Sequence, residues 1–548
     1  MKNNWKSITK EDVIKAIEIF NRDNPDYPKP RNTFLIYTNQ KLPAKHIRGM
    51  AYKVANNKEI RKSEFTGGLE TVRFFEGLGF EVEYHGESEY SKKESVIKKK
   101  QKRKNTEEDH PIKNNLKIAL YLQTDEVKNI KEFDKAIELV KKTDFDILVL
   151  PEFSYVPFIS LLNNADLCRQ EDTEAVHYAC LDLSEEIGKA VVVSSIDVYG
   201  TIFSVFANAF ATDSETQSHM YIKHTATTWS AFDFDKYHEV SKSTFQPIKY
   251  KGCKIGMTIC YDCNHSIFSR IYGLQDVDII INSTYGNVVY DKWHKYNKVR
   301  AIENNCYNFV TMGGDGRVKN PKAYVYGFNR KGKDLVPYNI VKEGDKLNEP
   351  GGIYMYELAK DDKNASQDPT LYQSETVNKN SQLEITVGDI DEVLNKSEKL
   401  IDGIHIYKAE DKNVVFCLVD GNDILKPEKV LKLLYSKELK DIKNKRYIIV
   451  NKHKEIDEEL YKNKLSILFK VRTMENYCAL IVESDNINKC YQTGKNRTAQ
   501  VVKAVNGKYG VDLSRTTGPE AIWKNKVDTK AKWRDEVEWL IHMMESNT

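Results

Sequence analysis

The stretch KIGMTICYDC, Lys254–Cys263, predicts a buried strand that carries a thiol to its own end. Its apolar residues form a run rather than an alternation, which is typical of strands covered on both faces. Cys260 could fill the core as a small apolar side chain, or it could act as a nucleophile. The choice depends on side chains elsewhere in the chain.

Similar apolar runs lie on both sides of this stretch and alternate with helix-length segments. The buried strands predicted in this way are LKIALYLQ (116–123), FDILVLPEF (145–153), AVVVSSIDVYG (190–200) and VDIIINSTYG (277–286). Strands that alternate with helices indicate an α/β domain. This domain is predicted to run from about residue 114 to residue 392.

The length of the chain, 548 residues, is too great for one hydrophobic core. We predict a small α+β recognition or docking domain at 1–88, a charged linker at 89–113, the α/β domain at 114–392, and an α/β regulatory or oligomerisation domain at 393–548. No internal repeat is evident. The 83 basic and 80 acidic residues nearly cancel, so the net charge of +3 does not demand a nucleic-acid partner.

The nine cysteines are odd in number and have no repeated spacing, and the chain shows no apolar leader and no membrane-length apolar stretch. These features predict a soluble, reduced, cytoplasmic protein with no membrane contact. Cys260 and Cys263 form a C-x-x-C pair, which without a second pair is a weak indication of zinc. No metal or organic cofactor is expected.

Polar side chains occur at three predicted strand ends. Glu152 follows LVLP, Lys223 lies in YIKHT, and Cys260 ends MTIC. Taken singly, these residues are more typical of a helix N-terminal carboxylate, an edge-strand surface lysine and a core cysteine. Together they could supply a general base, a cation for a developing oxyanion and a nucleophile.

The motifs DILVLPEF, YIKH, IGMTICYD and WHKYNKVRAIENN occur in this order, and through them residues 114–392 resemble the nitrilase superfamily of carbon–nitrogen hydrolases. The resemblance implies that Glu152 is the base, Lys223 stabilises the oxyanion and Cys260 attacks. It also implies a second catalytic glutamate, Glu239 in KYHEVSK, although Asp233 and Asp235 lie in the same predicted loop.

The same resemblance implies a four-layer αββα sandwich and a homo-oligomer, a dimer or larger, in which sandwiches pair face to face. It further implies an amide-type small-molecule substrate and a covalent thioester. After ICYD many relatives continue with arginine and phenylalanine, whereas Cys263, Asn264 and His265 follow here. This departure leaves the identity of the substrate open.

The flanking domains carry weaker signals. KLPAKHIRGMA, SEFTGG and FFEGLGFEV resemble the N-terminal head module of McrA-like modification-dependent restriction enzymes, which implies recognition in a defence setting; a docking domain is the equal alternative. The basic arm Lys92–Lys104 is either a flexible tether or a phosphate-binding segment. Tyr491–Lys524, rich in glycine and basic residues, predicts a long ordered loop, an anion-binding surface or a subunit interface.

Two functional hypotheses follow from the sequence. The first is an amidase-like cysteine hydrolase of a non-peptide carbon–nitrogen bond, acting as an effector in bacterial antiphage defence. The second is a catalytically silent nitrilase-fold protein that binds or scaffolds other molecules. An intact Glu152, Lys223 and Cys260 set favours the first hypothesis.

Overall fold

A computed structural model describes residues 5–23, 33–38, 40–60, 69–84, 115–122, 140–141, 143–152, 154, 173–196, 202–225, 245–285, 290–313, 325–342, 352–358, 375–494 and 498–519. Glu239 and the charged linker 89–113 lie outside these residues. Within them, no helix is both long and apolar enough to cross a membrane.

The N-terminal domain is a three-stranded antiparallel sheet, ordered β2-β1-β3, covered by helices. Its elements are α1 (Lys10–Asp23), β1 (Thr33–Tyr37), β2 (Gln40–Pro43), α2 (Ala44–Asn56), α3 (Leu69–Gly77) and β3 (Glu81–Tyr84). Helix α1 begins where Thr9 and Asp12 cap each other, and it buries Val13, Ile17 and Phe20 at helical spacing. The small α+β domain predicted from the sequence is confirmed.

A seven-stranded mixed sheet forms the first layer of the middle domain, ordered β14-β15-β4-β5-β6-β7-β8. Its strands are β4 (Lys117–Leu122), β5 (Ile147–Val149), β6 (Ala190–Ile196), β7 (Ile202–Ala207), β8 (Ser218–Ile222), β14 (Asn339–Lys342) and β15 (Gly352–Glu357). The apolar runs in β4, β5 and β6 form parallel neighbours, as their composition predicts.

A five-stranded sheet, ordered β13-β12-β11-β10-β9, packs against the first. Its strands are β9 (Ile248–Tyr250), β10 (Cys253–Ile259), β11 (Ile279–Tyr285), β12 (Tyr307–Gly313) and β13 (Val325–Phe328). Among the residues described, the helices of this domain are α4 (Thr173–Ile187), α5 (Ser266–Gly273) and α6 (Tyr290–Asn304). Strands β10, β11 and β12 are parallel, and each edge strand is antiparallel to its neighbour.

Side-chain alternation along β4 shows how the layers are arranged. Ile118 and Leu120 share one core with Ile255 and Met257 of the five-stranded sheet. Tyr121, on the opposite face of β4, joins a second core to which α4 contributes. The mixed α/β class is confirmed. The complete four-layer order stays a prediction, because residues 123–139, which follow β4, lie outside the described part of the chain.

The C-terminal part is built on another seven-stranded sheet, in which β17 to β23 lie in sequence order. Its strands are β17 (Glu398–Ile401), β18 (Ile404–Ala409), β19 (Lys412–Asp420), β20 (Lys445–Lys452), β21 (Ala479–Glu483), β22 (Lys489–Thr493) and β23 (Ala499–Val502). Strands β16 (Leu383–Thr386) and β24 (Lys508–Val511) form a separate two-stranded sheet. The longer described helices of the C-terminal part are α7 (Ile390–Asn395), α8 (Pro427–Leu434) and α9 (Ser466–Asn476). The four domain boundaries drawn from the sequence stay predictions.

The expectation of a long loop over Tyr491–Lys524 is wrong for the residues described there, since they include the end of β22 and all of β23 and β24. Polar composition misled the prediction because these side chains are satisfied inside the fold. Gln492 is fully buried, and its amide donates to the Asp512 carbonyl oxygen and accepts from the Asp512 N–H. Arg515 pairs with Asp512 at 3.2 Å.

Candidate active site

Three strand ends meet at one edge between the two sheets of the middle domain. Glu152 lies just beyond β5, Lys223 directly follows β8, and Cys260 directly follows β10. The backbone N–H of Glu152 donates to the Thr284 carbonyl oxygen at 3.3 Å, and a Glu152 carboxylate oxygen accepts from the Tyr285 N–H at 3.0 Å. These bonds tie the seven-stranded sheet to β11 of the five-stranded sheet and orient the carboxylate.

The Glu152 carboxylate and the Lys223 ammonium form a buried ion pair. Lys223 Nζ lies 2.7 Å from Glu152 Oε1, and neither side chain is more than 2% exposed. Burial disfavours the ammonium, but attraction to Cys260 and Glu152 outweighs it and raises the pKa of Lys223. The lysine therefore keeps its charge at neutral pH.

The Cys260 thiol lies beside this pair and hydrogen-bonds with Glu152. Burial and the negative charge of Glu152 raise the pKa of Cys260 well above its usual value, and the positive charge of Lys223 opposes them. The thiol is therefore protonated at neutral pH. It rests next to a carboxylate that can take its proton and an ammonium that can stabilise negative charge.

The backbone at Cys260 adopts an unusual conformation, with φ +49°. A non-glycine residue in the left-handed region carries a strain of about 1 kcal/mol or more and needs surrounding contacts to hold it. Asn282 provides them: its Oδ1 accepts from the Cys260 N–H at 3.0 Å, and its Nδ2 donates to the Cys260 carbonyl oxygen at 3.4 Å. Thr284 in turn donates to Asn282 Oδ1 at 2.7 Å.

Asn282 was missed by the sequence analysis, although it left a signal. It is a polar residue in the middle of the apolar run IIINSTY, and it is completely buried in the structure. Buried amides normally have a defined set of hydrogen-bond partners. An asparagine inside a buried parallel strand, next to a strand that ends in cysteine, was the observation that could have identified it.

Asp262 connects the short turn that begins at Cys260 (Cys260–Asn264, the Cys260 turn) to the segment after Lys223. Its carboxylate accepts from the Tyr221 hydroxyl at 2.9 Å and from the Thr225 N–H and hydroxyl at 2.9 and 2.7 Å. Burial raises the pKa of Asp262. Because Tyr221 and Thr225 flank Lys223, this carboxylate fixes the lysine relative to the thiol.

The remaining predicted or neighbouring residues have other positions. Glu239 lies outside the described residues. His224, adjacent to Lys223, stacks between Phe245 and Phe268 at ring-centroid distances of 4.9 and 5.0 Å. Burial raises the pKa of Cys263 to about 12. Across the residues described here, no three His, Cys, Asp or Glu side chains are arranged to hold a metal ion.

Comparison with known families agrees with the two resemblances read from the sequence. Residues 116–331 match the family described as Carbon-nitrogen hydrolase, and residues 6–84 match the family described as ScoMcrA-like, N-terminal head domain. Both resemblances are thereby confirmed. No curated protein matches the chain.

Solved structures with similar folds include an amidase from Nesterenkonia sp. at 16% identity, covering 45% of this chain and 91% of that one with a TM-score of 0.33. A carbon-nitrogen hydrolase from Helicobacter pylori G27 is 14% identical, with 45% and 91% coverage and a TM-score of 0.33. Saccharomyces cerevisiae Nit3, a member of branch 10 of the nitrilase superfamily, is 16% identical, with 44% and 90% coverage and a TM-score of 0.32. Similarity at this level says nothing about the substrate.

Proposed function

Because residues 116–331 match the carbon–nitrogen hydrolase family, we propose that the protein is an amidase-like hydrolase that uses Cys260 as its nucleophile. The observation that carries this proposal is the buried Glu152–Lys223 pair, 2.7 Å apart, beside a thiol held in a left-handed backbone conformation. The substrate class is a small molecule with a non-peptide amide bond.

In the first half of the reaction, the Cys260 sulfur attacks the carbonyl carbon while Glu152 takes the thiol proton. Lys223 stabilises the negative charge that develops on the carbonyl oxygen. The carbon–nitrogen bond then breaks, and the nitrogen leaves as ammonia or an amine after receiving the proton from Glu152. A thioester on Cys260 remains.

In the second half, Glu152 takes a proton from water, and the resulting hydroxide adds to the thioester carbon. The carbon–sulfur bond breaks, the sulfur recovers the proton, and the carboxylic acid product departs. Glu239 is proposed to assist by positioning the water or the substrate, as the family resemblance implies. No metal or organic cofactor takes part in these steps.

The test compares purified wild type with the Cys260→Ala and Glu152→Gln variants on a panel of small aliphatic amides, with ammonia release as the readout. We expect both variants to lose turnover by about 10²-fold or more, and intact-mass measurement during wild-type turnover to reveal the thioester. Turnover by Cys260→Ala at the wild-type rate would remove the proposal.

The competing hypothesis is a silent scaffold that keeps the fold without turnover. It predicts that wild type and Cys260→Ala produce the same metabolite profile in cells, because the effect of the protein would come from binding other molecules rather than from turnover. Untargeted metabolite profiling of cells that express each form separates the two hypotheses, because a hydrolase depletes an amide and accumulates the matching acid only when Cys260 is present.

We also propose a role in antiphage defence, which is supported by the match of residues 6–84 to the ScoMcrA-like head domain. We expect cells with the wild-type protein to reduce phage plaque numbers and cells with Cys260→Ala to lose that protection. Protection that persists in the variant would assign defence to another part of the chain. A cytoplasmic location accompanies this role as a prediction.

Two partner predictions belong to the same proposal. We expect the protein to form homo-oligomers, dimers or larger. Light scattering over a range of concentrations measures their mass, and a monomer mass at every concentration would contradict this prediction. Nucleic-acid binding by the arm Lys92–Lys104 predicts affinity that falls steeply with salt and disappears when its lysines are changed to glutamine. Binding that is absent in wild type at low salt favours the tether.

A further inference from the structure

The five-stranded sheet of the middle domain has a counterpart within the C-terminal sheet. Strands β9 to β13 and strands β18 to β22 each run in sequence order, with an antiparallel pair, two parallel pairs and a final antiparallel pair. The intervening helices also correspond: α5 and α8 follow the second strand, and α6 and α9 precede the fourth. The two units therefore share one topology.

A short sequence motif recurs at equivalent places in the two units. RAIENNC (Arg300–Cys306) ends α6 and leads into β12, and RTMENYC (Arg472–Cys478) ends α9 and leads into β21. In both, the asparagine amide donates to the carbonyl oxygen of the arginine, at 2.9 Å in the first copy and 3.0 Å in the second. In both, the next residue is left-handed, with φ +49° at Asn305 and +46° at Tyr477.

The Cys260 turn has its own counterpart in the turn Gly421–Leu425, the Gly421 turn. Gly421 has φ +42°, close to the +49° of Cys260. Asn451 Nδ2 donates to the Gly421 carbonyl oxygen at 3.0 Å, as Asn282 Nδ2 donates to that of Cys260 at 3.4 Å. The second copy thus keeps the conformation that presents a nucleophile but has glycine in place of the thiol.

The arginines of the two motifs hold these turns from the same position. Arg300 Nε donates to the carbonyl oxygen of Cys263, the fourth residue of the Cys260 turn, at 2.9 Å. Arg472 Nε donates to the carbonyl oxygen of Ile424, the fourth residue of the Gly421 turn, at 3.1 Å. Each turn is therefore fixed by the helix that precedes the fourth strand of its unit.

The two copies meet through these same arginines. Arg300 pairs with Glu303 of its own helix and with Glu475 of the other, while Arg472 pairs with Glu475 at 2.5 Å and with Glu303 at 2.8 Å. None of the four side chains is more than 3% exposed. Reciprocal contact, in which each copy offers the same residues to the other, is the signature of a two-fold interface.

A second contact at this interface joins α5 and α8, and Arg270 Nη1 also donates to the Glu303 carbonyl oxygen at 3.0 Å. Arg270 of α5 forms a two-point ion pair with Glu428 of α8, at 2.9 and 3.1 Å. Around both contacts the apolar residues of the two copies belong to one continuous core. The helical face of the five-stranded sheet is thus covered by the same chain, so any homo-oligomer has to use another surface.

We propose that residues 404–493 are a second copy of the unit formed by residues 248–328, that this copy has lost its nucleophile, and that it serves as a built-in partner which positions Cys260. Glu475 is the positioning residue: it holds Arg300, and Arg300 holds the Cys263 carbonyl oxygen and with it the Cys260 turn. The positioning role rests on the proposed function of Cys260, whereas the duplication does not.

The test uses the full-length protein and the rate at which iodoacetamide alkylates Cys260, followed by intact mass, with Cys260→Ala as the blank. We expect Glu475→Gln to slow alkylation about ten- to a hundredfold, since small misplacements of a reacting group have effects of this size. The pH of half-maximal rate stays unchanged because Glu152 and Lys223 are intact. The matched control is Glu428→Gln, which weakens the same interface through Arg270 but leaves both ion pairs of Glu475 in place, so we expect it to leave the rate unchanged.

The double variant Arg472→Met/Glu475→Gln separates positioning from stability. It restores charge balance at the interface, so we expect the thermal midpoint to recover relative to Glu475→Gln while alkylation stays slow. Recovery of the alkylation rate together with the midpoint would overturn the positioning role. A wild-type rate that falls on dilution would overturn the built-in partner, because the hold would then come from another chain. Amide turnover that persists at the wild-type rate in Cys260→Ala would instead contradict the proposed function and leave the alkylation result standing.

Discussion

Replacing Glu152 with glutamine tests whether the charge of this carboxylate keeps the Cys260 thiol protonated. Burial and Glu152 raise the pKa of Cys260, and Lys223 opposes them. Glutamine preserves the shape of the side chain but removes its charge, so burial and Lys223 remain. We therefore expect the pKa of Cys260 to fall in Glu152→Gln and to rise again when Lys223→Met is added.

The size of the pKa rise on adding Lys223→Met follows from the interaction of Lys223 with the Cys260 thiolate. Two unit charges about 4 Å apart interact by about 4 kcal/mol at an effective dielectric constant of about 20. At about 1.36 kcal/mol per pKa unit, this corresponds to roughly three units. The pKa of Cys260 in Glu152→Gln is thus expected to lie roughly three units below that in the double variant.

The assay is alkylation by iodoacetamide between about pH 5 and pH 10, because only the thiolate reacts and a lower pKa moves the plateau to lower pH. Cys260→Ala identifies the signal from this residue. Glu152→Gln/Lys251→Met is the matched control, since Lys251 is half-exposed and pairs with Asp146 elsewhere on the domain. Equal midpoints for Glu152→Gln and Glu152→Gln/Lys223→Met would refute the reasoning.

Three further predictions concern single positions. Asn282→Leu is expected to lower the free energy of unfolding by about 2–4 kcal/mol in denaturant titration, because the buried Cys260 N–H and Thr284 hydroxyl lose their acceptor; an unchanged midpoint contradicts this. Gly421→Ala is expected to cost about 1 kcal/mol in the same titration, since φ is +42° and an added Cβ meets no atom within 4 Å. Glu239→Gln is expected to lower amide turnover at unchanged thermal midpoint, whereas Asp235→Asn is not, and equal effects would remove the assignment.

The sequence predicted the strands of the middle domain well because their apolar runs are long and uninterrupted. Glu152, Lys223 and Cys260 stand out in the sequence as polar residues at apolar strand ends, and the structure brings them together, while their catalytic roles stay predictions. Asn282 was not predicted because its contacts with Cys260 are made to backbone atoms of the turn that follows the neighbouring strand. A single sequence does not reveal a hydrogen bond between residues 22 positions apart.

The duplication was not predicted from the sequence, for a different reason. Arg300 follows Cys260 by 40 positions, whereas Arg472 follows Gly421 by 51, so no fixed period runs through the chain. What the copies share is the direction of strands, two left-handed residues, a few hydrogen bonds and one motif of seven residues, R-x-x-E-N-x-C, which is too short to reveal a repeat by itself. The polar strands within Tyr491–Lys524 were missed because the partners that satisfy Gln492 and Asp512 are specified by the fold rather than by neighbours in sequence.

The ion pair between Arg300 and Glu475 joins residues 175 positions apart, and this separation has a consequence during protein synthesis. A ribosome that adds about 5–20 residues per second reaches Glu475 about 9–35 s after it has added Arg300. Until then, Arg300 of the nascent chain lacks the Glu475 carboxylate that is proposed to position the Cys260 turn. The thiol is therefore expected to become fully reactive only after most of the polypeptide has been translated, so its reactivity begins late in synthesis.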